Sequence, residues 1–297
     1  MPSAGSWHKS RGLHLEAIRT KRQYIARRGA YRAFLYILLI ATCALMLLPF
    51  FWMVSTSLKT HIETMKVPIQ WLPQSPQWSN YVEALRVAPF GRYFFNSFVI
   101  AITTTVGEVI LTVFAAYAFA KMRFFGKNAL FAILLGTLMI PGQMLLIPNY
   151  VTMYRFGWLD KYQALIIPWL ASVFAIFLLR QFFRAIPDEL WDSARIDGCR
   201  RLRYVLQIVV PNSKPALLTV AVLKFLGSWN AFLWVLIMTT SQKMRTVPVG
   251  LSLYSTEMGT AYEQLMAASV VAIIPILIIF FVAQKQFIQG VARTGIK

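Results

Sequence analysis

Two ionisable side chains, Glu108 and Lys224, interrupt long apolar stretches of the sequence and are the first candidates for chemistry. A charge inside a bilayer costs about 2.5–3.5 kcal/mol on insertion scales, so such residues by default mark a transport pathway or an ion pair. For Glu108, three placements remain open: a polar wall of a path, a cross-helix partner, or a site near a helix end or hydroxyl group. Lys224 follows Lys214 closely, which favours a side chain that extends back toward the cytoplasmic surface.

The other reactive residue types form no catalytic constellation. The histidines, His8, His14 and His61, have no cysteine or carboxylate partners at metal-ligand spacing, so no metal site is expected. The sequence also contains no glycine-rich phosphate loop ending in Gly-Lys-Ser or Gly-Lys-Thr. The sequence therefore predicts a protein that is not an enzyme and that binds no cofactor itself.

A charged segment, residues 187–211, stands between two apolar stretches and carries four acidic and four basic side chains. Asp188 can cap a helix, and Glu189 and Asp192 place negative charge in its first turn, where the helix dipole favours it. Gly198 then predicts a turn, because glycine adopts positive φ without steric cost. Apolar residues recur at helical spacing after it, so the segment is predicted to be a helix, a turn and a second helix.

The same segment resembles the cytoplasmic EAA loop of permease subunits from binding-protein-dependent ABC importers. That loop reads Glu-Ala-Ala, three residues, Gly, nine residues and Ile-x-Leu-Pro, and this chain has 192–194, Gly198 and 208–211 at the same spacing. The departures, Asp for Glu, Ser for Ala, Cys after the glycine and Val for Leu, are mild. The resemblance implies that an ATPase subunit binds this segment, with the coupling residues Glu189, Asp192, Ser193, Ala194, Asp197, Gly198 and Pro211.

The composition is that of an all-α, polytopic membrane protein. Of 297 residues, 58% are hydrophobic and only 14% are charged. A basic tail, 1–32, precedes six apolar stretches, each near the roughly 20 residues that a bilayer core requires. The charged loop falls between the fourth and fifth of the predicted spans, which are about 34–57, 93–119, 129–153, 162–183, 213–239 and 265–286.

The distribution of basic residues predicts the orientation. With the tail inside, 21 Lys and Arg residues lie on the cytoplasmic side and 8 lie outside, which follows the positive-inside rule. This assignment places both termini and the 187–211 loop in the cytoplasm. It also accounts for the net charge of +19 without a nucleic-acid site, so no nucleic-acid partner is expected.

Further segments extend the resemblance over nearly the whole chain, toward the carbohydrate-importer permeases that include the second permease of the maltose system. Residues 139–141, 146–150, 177–183, 227–230 and 245–251 carry it. The resemblance implies that residues 33–297 form a permease of the bacterial inner membrane, which pairs with a second, different permease chain. It also implies two cytoplasmic ATPase subunits that bind ATP and magnesium, and an extracytoplasmic solute-binding protein that delivers a carbohydrate or polyol.

Aromatic and amide side chains that suit sugar rings and hydroxyl groups are substrate-path candidates together with Glu108: Asn149, Tyr150, Trp229 and Asn230. Anchoring in the membrane interface or helix packing remains an alternative for the aromatic members. In resembling permeases the loop that corresponds to 242–264 approaches the binding protein, which makes Tyr254, Glu257 and Met258 candidate contacts. A plain connecting loop is the alternative there.

Other functions also remain open. An ion-coupled secondary transporter would show similar spans, kinked by prolines such as Pro141, Pro148, Pro168 and Pro275. An ABC importer of a non-sugar solute and a structural membrane protein are further alternatives. Transport that survived deletion of 188–200 would favour the secondary transporter.

Overall fold

The computed structural model describes residues 5–256 and 259–294, and this part of the chain is mainly helical. Its helices are α1 (Gly5–Ser57), α2 (His61–Met65), α3 (Ser79–Val87), α4 (Phe90–Lys121), α5 (Lys127–Thr137), α6 (Leu146–Arg155), α7 (Tyr162–Ile166), α8 (Val173–Arg184), α9 (Glu189–Ile196), α10 (Arg201–Tyr204), α11 (Val210–Asn212), α12 (Lys214–Trp229), α13 (Leu233–Met238), α14 (Val247–Leu251) and α15 (Tyr262–Thr294). A π-helical segment, Val205–Val209, joins α10 to α11. Two-residue strands, β1 (Ser255–Thr256) and β2 (Gly259–Thr260), pair antiparallel. The predicted all-α class is confirmed.

Five of the apolar candidates lie close to predicted spans, but the one predicted at 213–239 lies at 201–229 and so overlaps the 187–211 segment. Four single candidates occur in the described residues: Tyr31–Ser57, Phe90–Lys121, Tyr162–Arg184, which contains the break between α7 and α8, and Tyr262–Val282. Two more are bent pairs, at 87° for Lys127–Thr137 with Gly142–Arg155 and at 84° for Arg201–Asn212 with Lys214–Trp229. The predicted number of six therefore holds only if each bent pair counts as one span.

Prolines mark two of the breaks in the helices. Pro141 precedes the 3₁₀ turn between α5 and α6, and Pro168 lies in the 3₁₀ turn between α7 and α8. Proline has no N–H group for the helical ladder, which weakens the helix at these points. Pro148 lies instead in the first turn of α6, where proline is tolerated, and Pro275 lies inside the continuous helix α15. The predicted kinks at these two prolines stay predictions.

Helix α4 is the centre of the bundle. It packs against α12 on one side and α8 on the other, around a core that includes Ala116, Leu179 and Val220. Helix α1 packs along α15, and its apolar side chains from Tyr31 to Phe51 are exposed, as expected for a span that faces lipid. The predicted tail, 1–32, is part of the same continuous helix from Gly5 onward.

The end of the bundle that the sequence places outside is closed by α2, α3 and α14, which pack on the starts of α4 and α15. Glu63 forms a capping box with Thr60 and also accepts a hydrogen bond from the Gln74 N–H. These backbone hydrogen bonds hold the pKa of the Glu63 carboxyl below its usual range. Buried Asn80 donates to two backbone carbonyls beside the end of α1, which fixes the loop onto that helix.

Candidate coupling segment and transport cavity

The 187–211 segment folds as predicted into a helix, a turn and a second helix. Helix α9 begins with Glu189 and Asp192 in its first turn, where the helix dipole stabilises negative charge. The predicted cap is wrong in one respect. Asp188 occupies the N-cap position, but its side chain makes no capping hydrogen bond. Its carboxylate binds Lys121 instead.

Lys121, the last residue of α4, ties that helix to the start of α9. Its ammonium group lies 2.6 Å from the Asp188 carboxylate and also donates to the Ile186 carbonyl. The hydrogen bond and the charge of Lys121 hold the pKa of the Asp188 carboxyl below its usual range. Because Asp188 is exposed, the pair contributes at most about 1 kcal/mol to stability. Its main effect is geometric, since it fixes where α9 starts relative to α4.

The turn after α9 requires glycine. Gly198 has φ 71°, and its N–H donates to the Arg195 carbonyl while the Cys199 N–H donates to the Ala194 carbonyl. No atom lies within 4 Å of the position that a Cβ would take, so the backbone conformation rather than space demands glycine. The chain then re-enters helix at Arg201.

Helix α9 has an inner and an outer face. On the inner face, Trp191 packs edge-on against Tyr204 with ring centroids 5.0 Å apart, and Ala194 is buried in the same apolar cluster. Ala194 therefore contacts its own chain. The outer face carries Ile196, which is 87% exposed. The predicted coupling residues apart from Ala194 are also exposed: Glu189, Asp192, Ser193, Asp197, Gly198 and Pro211.

A buried ion pair joins α4 to α12 inside the bundle. The Lys224 ammonium lies 2.6 Å from the Glu108 carboxylate, and the two side chains are only 12% and 5% exposed. Lys224 also donates to the Trp169 carbonyl, which the break between α7 and α8 leaves free of a helical partner at that turn. The expectation that Lys224 extends to the cytoplasmic surface is wrong, because a neutralising partner lies directly opposite on the neighbouring helix. For Glu108, the cross-helix alternative is the one found.

A cavity of about 540 Å³ lies beside this ion pair, within the range of roughly 300–1,000 Å³ typical of small-molecule sites. Helices α4, α12 and α13 and the break before α8 form its walls. The polar groups in its lining are the ion pair, Ser172 and Ser228, and aromatic rings come from Trp169, Phe174 and Trp234. The remaining lining is aliphatic, so a few polar groups converge on a largely apolar space.

Of the predicted path residues, Glu108 lines this cavity and the other four do not. Trp229 is buried, with its ring centroid 4.8 Å from that of Phe98, so the helix-packing alternative describes its place in the fold. Asn230 ends α12 and donates to the Leu226 carbonyl. Asn149 and Tyr150 lie half-buried on α6.

Of the three predicted binding-protein contacts, the structure describes Tyr254, which is buried. Tyr254 is 3% exposed, and its hydroxyl donates to the Ala84 carbonyl, so its ring belongs to the core under α3. Glu257 and Met258 lie outside the described residues. Asp160 does organise the neighbouring loops, because its carboxylate accepts hydrogen bonds from the N–H groups of Thr240 and Ser241.

Sequence reasoning missed Trp169, Ser172 and the pairing of Lys224. A signal for the pair was present, because the two intramembrane charges have opposite signs and each lowers the cost of burying the other. Trp169 directly follows Pro168, which was identified as a kink, and a kinked span frees backbone and side chains to line a cavity.

Comparison with known proteins gives the family. The model of the family described as "Binding-protein-dependent transport system inner membrane component" matches residues 108–293, which is more than half of the chain. The chain is 33% identical over 253 residues to the sulfoquinovosyl glycerol transport system permease protein SmoH of Agrobacterium fabrum, covering 84% of this chain and 89% of that protein. It is 34% identical over 272 residues to the arabinooligosaccharides transport system permease protein AraQ of Bacillus subtilis, covering 91% and 97%.

A solved structure agrees in fold. The chain matches a crystal structure of a bacterial ABC transporter involved in the import of the acidic polysaccharide alginate, with a TM-score of 0.77 and 25% identity, over 86% of this chain and 96% of that one. The matched family region begins at Glu108 and contains the whole 187–211 segment. The chain belongs to the family of inner membrane components of binding-protein-dependent transport systems, and it is a transport subunit rather than an enzyme.

Proposed function

We propose that this chain is a membrane-spanning permease subunit of an ATP-driven importer, and that it forms a path for a carbohydrate or related polyol together with a second permease chain. An extracytoplasmic binding protein delivers the solute, and two cytoplasmic ATPase subunits hold ATP and magnesium. The names of the relatives support the substrate class, since they refer to sulfoquinovosyl glycerol and arabinooligosaccharides. The N- and C-termini lie in the cytoplasm, on the side that carries most of the basic residues.

One observation carries the mechanism: both arms of the 187–211 segment lead to the helices that hold the ion pair. The start of α9 is fixed to α4 through Lys121, and α4 carries Glu108. The second arm continues through α11 directly into α12, which carries Lys224. A displacement of α9 therefore acts on both walls of the cavity.

In this mechanism an ATPase subunit receives the outer face of α9, with exposed Ile196 inserted in a groove and the acidic residues at its rim. Closure of the ATPase pair moves α9, while Trp191 and Tyr204 keep it packed against the second arm. The resulting movement of α4 against α12 alternates the access to the cavity. The segment that contains Glu257 and Met258 remains the proposed contact for the binding protein.

Affinity purification from the native membrane tests this function. Wild-type protein in mild detergent is expected to bring down an ATPase and a second permease. Gly198→Pro is expected to lose the ATPase, because proline cannot adopt the φ of 71° at this turn. Gly157→Pro is the matched control, since Gly157 also has a positive φ, 64°, but lies at the opposite end of the bundle.

The outcome discriminates between functions. Loss of the ATPase in Gly198→Pro and its retention in Gly157→Pro support the importer and the role of the segment. A wild-type chain that comes down without any ATPase contradicts the proposal and favours an ion-coupled transporter. Equal loss in both variants contradicts the specific role of the 187–211 segment.

A further inference from the structure

The charged groups in the cavity beside the ion pair limit the charge of a solute that can bind there. The relatives of this chain differ in the charge of the solutes for which they are named. One related structure belongs to an importer of the acidic polysaccharide alginate, whereas a related permease is named for arabinooligosaccharides. The charges that face the cavity bear on which of these kinds of solute can bind there. This inference rests on the proposed function, because it specifies the solute of the same importer.

The cavity lining has two charged groups, and they neutralise each other. Glu108 and Lys224 are 2.6 Å apart, and the lining otherwise offers hydroxyl, indole and aliphatic groups. An anionic solute bound here would need Lys224 as its counter-ion. Drawing that ammonium away would leave the Glu108 carboxylate, only 5% exposed, without compensation in a low-dielectric environment. A cationic solute would leave Lys224 uncompensated in the same way.

Hydroxyl groups can bind to the pair without separating it. An ammonium group has three donors, and Lys224 donates one hydrogen bond, to the Trp169 carbonyl. Its contact with Glu108 is an ion pair in which the Glu108 Oε2 atom has no hydrogen-bond partner, so donors and an acceptor remain for a solute. An ionised carboxylate has about four acceptor positions, so Glu108 can accept from a solute hydroxyl while it stays paired with Lys224.

The aromatic rings supply the second element of a sugar site. Trp169 is 44% exposed and Phe174 is also exposed, and both line the cavity. The Trp169 ring is held at a defined angle, because it packs edge-on against Trp234 with centroids 5.4 Å apart. A rigid, exposed indole next to charge-assisted hydrogen-bonding groups suits a molecule with an apolar C–H face and a rim of hydroxyl groups.

We propose that this cavity binds an uncharged polyhydroxy solute, with the Trp169 ring as its stacking surface and the Glu108–Lys224 pair as its hydrogen-bonding pole. The pair excludes anionic sugars because it leaves no cation free to balance them. Glu108 and Lys224 are thus the specificity-determining residues, and Trp169 contributes affinity.

The test compares matched neutral and acidic probes on the purified complex in lipid nanodiscs. The probes are mannotriose, maltotriose and arabinotriose on one side, and trimannuronate and trigalacturonate on the other. Binding is measured by saturation-transfer NMR and by competition. The wild-type complex is expected to bind at least one neutral trisaccharide about tenfold or more tightly than either uronate.

Variants separate the two elements of the site. Glu108→Gln leaves Lys224 without its counter-charge and is expected to reduce the neutral-to-acidic preference about tenfold or more. The charge-swapped double variant, Glu108→Lys with Lys224→Glu, keeps a neutral pair and is expected to keep the preference. If Glu108→Gln does not fold, the charge-swapped double variant still tests whether a neutral pair keeps the preference. Trp169→Leu is expected to weaken neutral binding about tenfold with little effect on the preference, and the control Trp78→Leu, on the outer loop, is expected to change neither.

Three results would overturn the inference. In the first, the wild-type complex binds a uronate as tightly as the best neutral probe. In the second, it binds none of the neutral probes at millimolar concentration. In the third, the neutral-to-acidic preference is the same in Glu108→Gln and in the charge-swapped variant as in the wild type. Because every sample contains its co-purified ATPase, each of these results counts against the site while the proposed function stands. If no ATPase co-purifies with the chain, the proposed function itself is contradicted, and this is seen in the affinity purification before any binding is measured.

Discussion

Replacing Glu108 by glutamine leaves the Lys224 ammonium buried between helices without its counter-charge. At 2.6 Å and an effective dielectric constant of about 20, the attraction between the two charges is on the order of 6 kcal/mol. The desolvation of both groups offsets much of this attraction in the intact protein. When one partner is removed, the desolvation cost of the other remains, so Glu108→Gln is expected to lower the free energy of unfolding by about 3–5 kcal/mol.

The double-mutant cycle isolates the pair. Lys224→Met alone is expected to cost a similar amount, because it leaves the Glu108 carboxylate uncompensated. The combination of Glu108→Gln with Lys224→Met removes both charges and is expected to cost less than either single change, since a buried pair replaced by groups of similar volume is often close to neutral. The control Lys66→Met, on the exposed outer loop, corrects for the general effect of the substitution.

Reversible unfolding by sodium dodecyl sulfate in mixed micelles, followed by tryptophan fluorescence, gives the free energies. The expected interaction energy between the two substitutions is several kcal/mol. Additive effects, with an interaction energy below about 0.5 kcal/mol, would refute the conclusion that these charges neutralise each other in the folded protein.

Three further predictions concern the two ends of the bundle. Gly198→Ala is expected to lower the free energy of unfolding by about 1–2 kcal/mol, because alanine is strained at φ 71°. The control Gly136→Ala, inside helix α5, is expected not to destabilise the protein. Equal thermal midpoints for the two variants would contradict this prediction. Lys121→Met removes the ion pair that attaches α9 to α4. The variant is expected to reduce the ATP hydrolysis that the binding protein stimulates, while basal hydrolysis continues. Unchanged stimulation would show that this ion pair does not transmit movement. The pKa of the Glu63 carboxyl is lower in the folded protein than its ordinary value of 4.5, so the ionised carboxylate stabilises the fold fully above pH 4.5 and this stabilisation is lost as the pH falls through the lower folded pKa. Glu63→Gln is therefore expected to reduce the drop in thermal midpoint between pH 7 and pH 3. A drop as large as that of the wild type would contradict the role of the ionised Glu63 carboxylate.

The sequence predicts the positions of most of the apolar helices well, because the length and composition of a span are local properties. The exception is the span predicted at 213–239, since the corresponding bent pair covers 201–229. The helix, turn and helix around Gly198 are equally local, since acidic residues in a first turn and a glycine at a helix end act within a few residues. The break at 230–232, between α12 and α13, has no proline and depends on tertiary packing, so the sequence predicted one span, 213–239, where the structure has two helices.

The candidate site was predicted less completely, because it depends on which helix faces meet. Glu108 was correctly identified as an intramembrane charge, but its distance from Lys224 follows from the packing of α4 on α12, which the periodicity of either helix does not define. Asp188 illustrates the same limit. Its position favoured a local capping bond, and the nearby ammonium of Lys121 from another helix competed successfully for the carboxylate.

Site-specific photo-crosslinking from position 196 in native membranes tests the central conclusion most directly. Ile196 is 87% exposed on the outer face of α9, where the account places the ATPase. A benzoylphenylalanine at position 196 is expected to form a crosslink to a protein with the ATP-binding motifs of a transport ATPase, and the same group at Leu39, on the lipid-facing helix α1, is expected to form none. A crosslink from 196 to no ATPase, in membranes where the protein is abundant and folded, would contradict the assignment of α9 as the coupling helix.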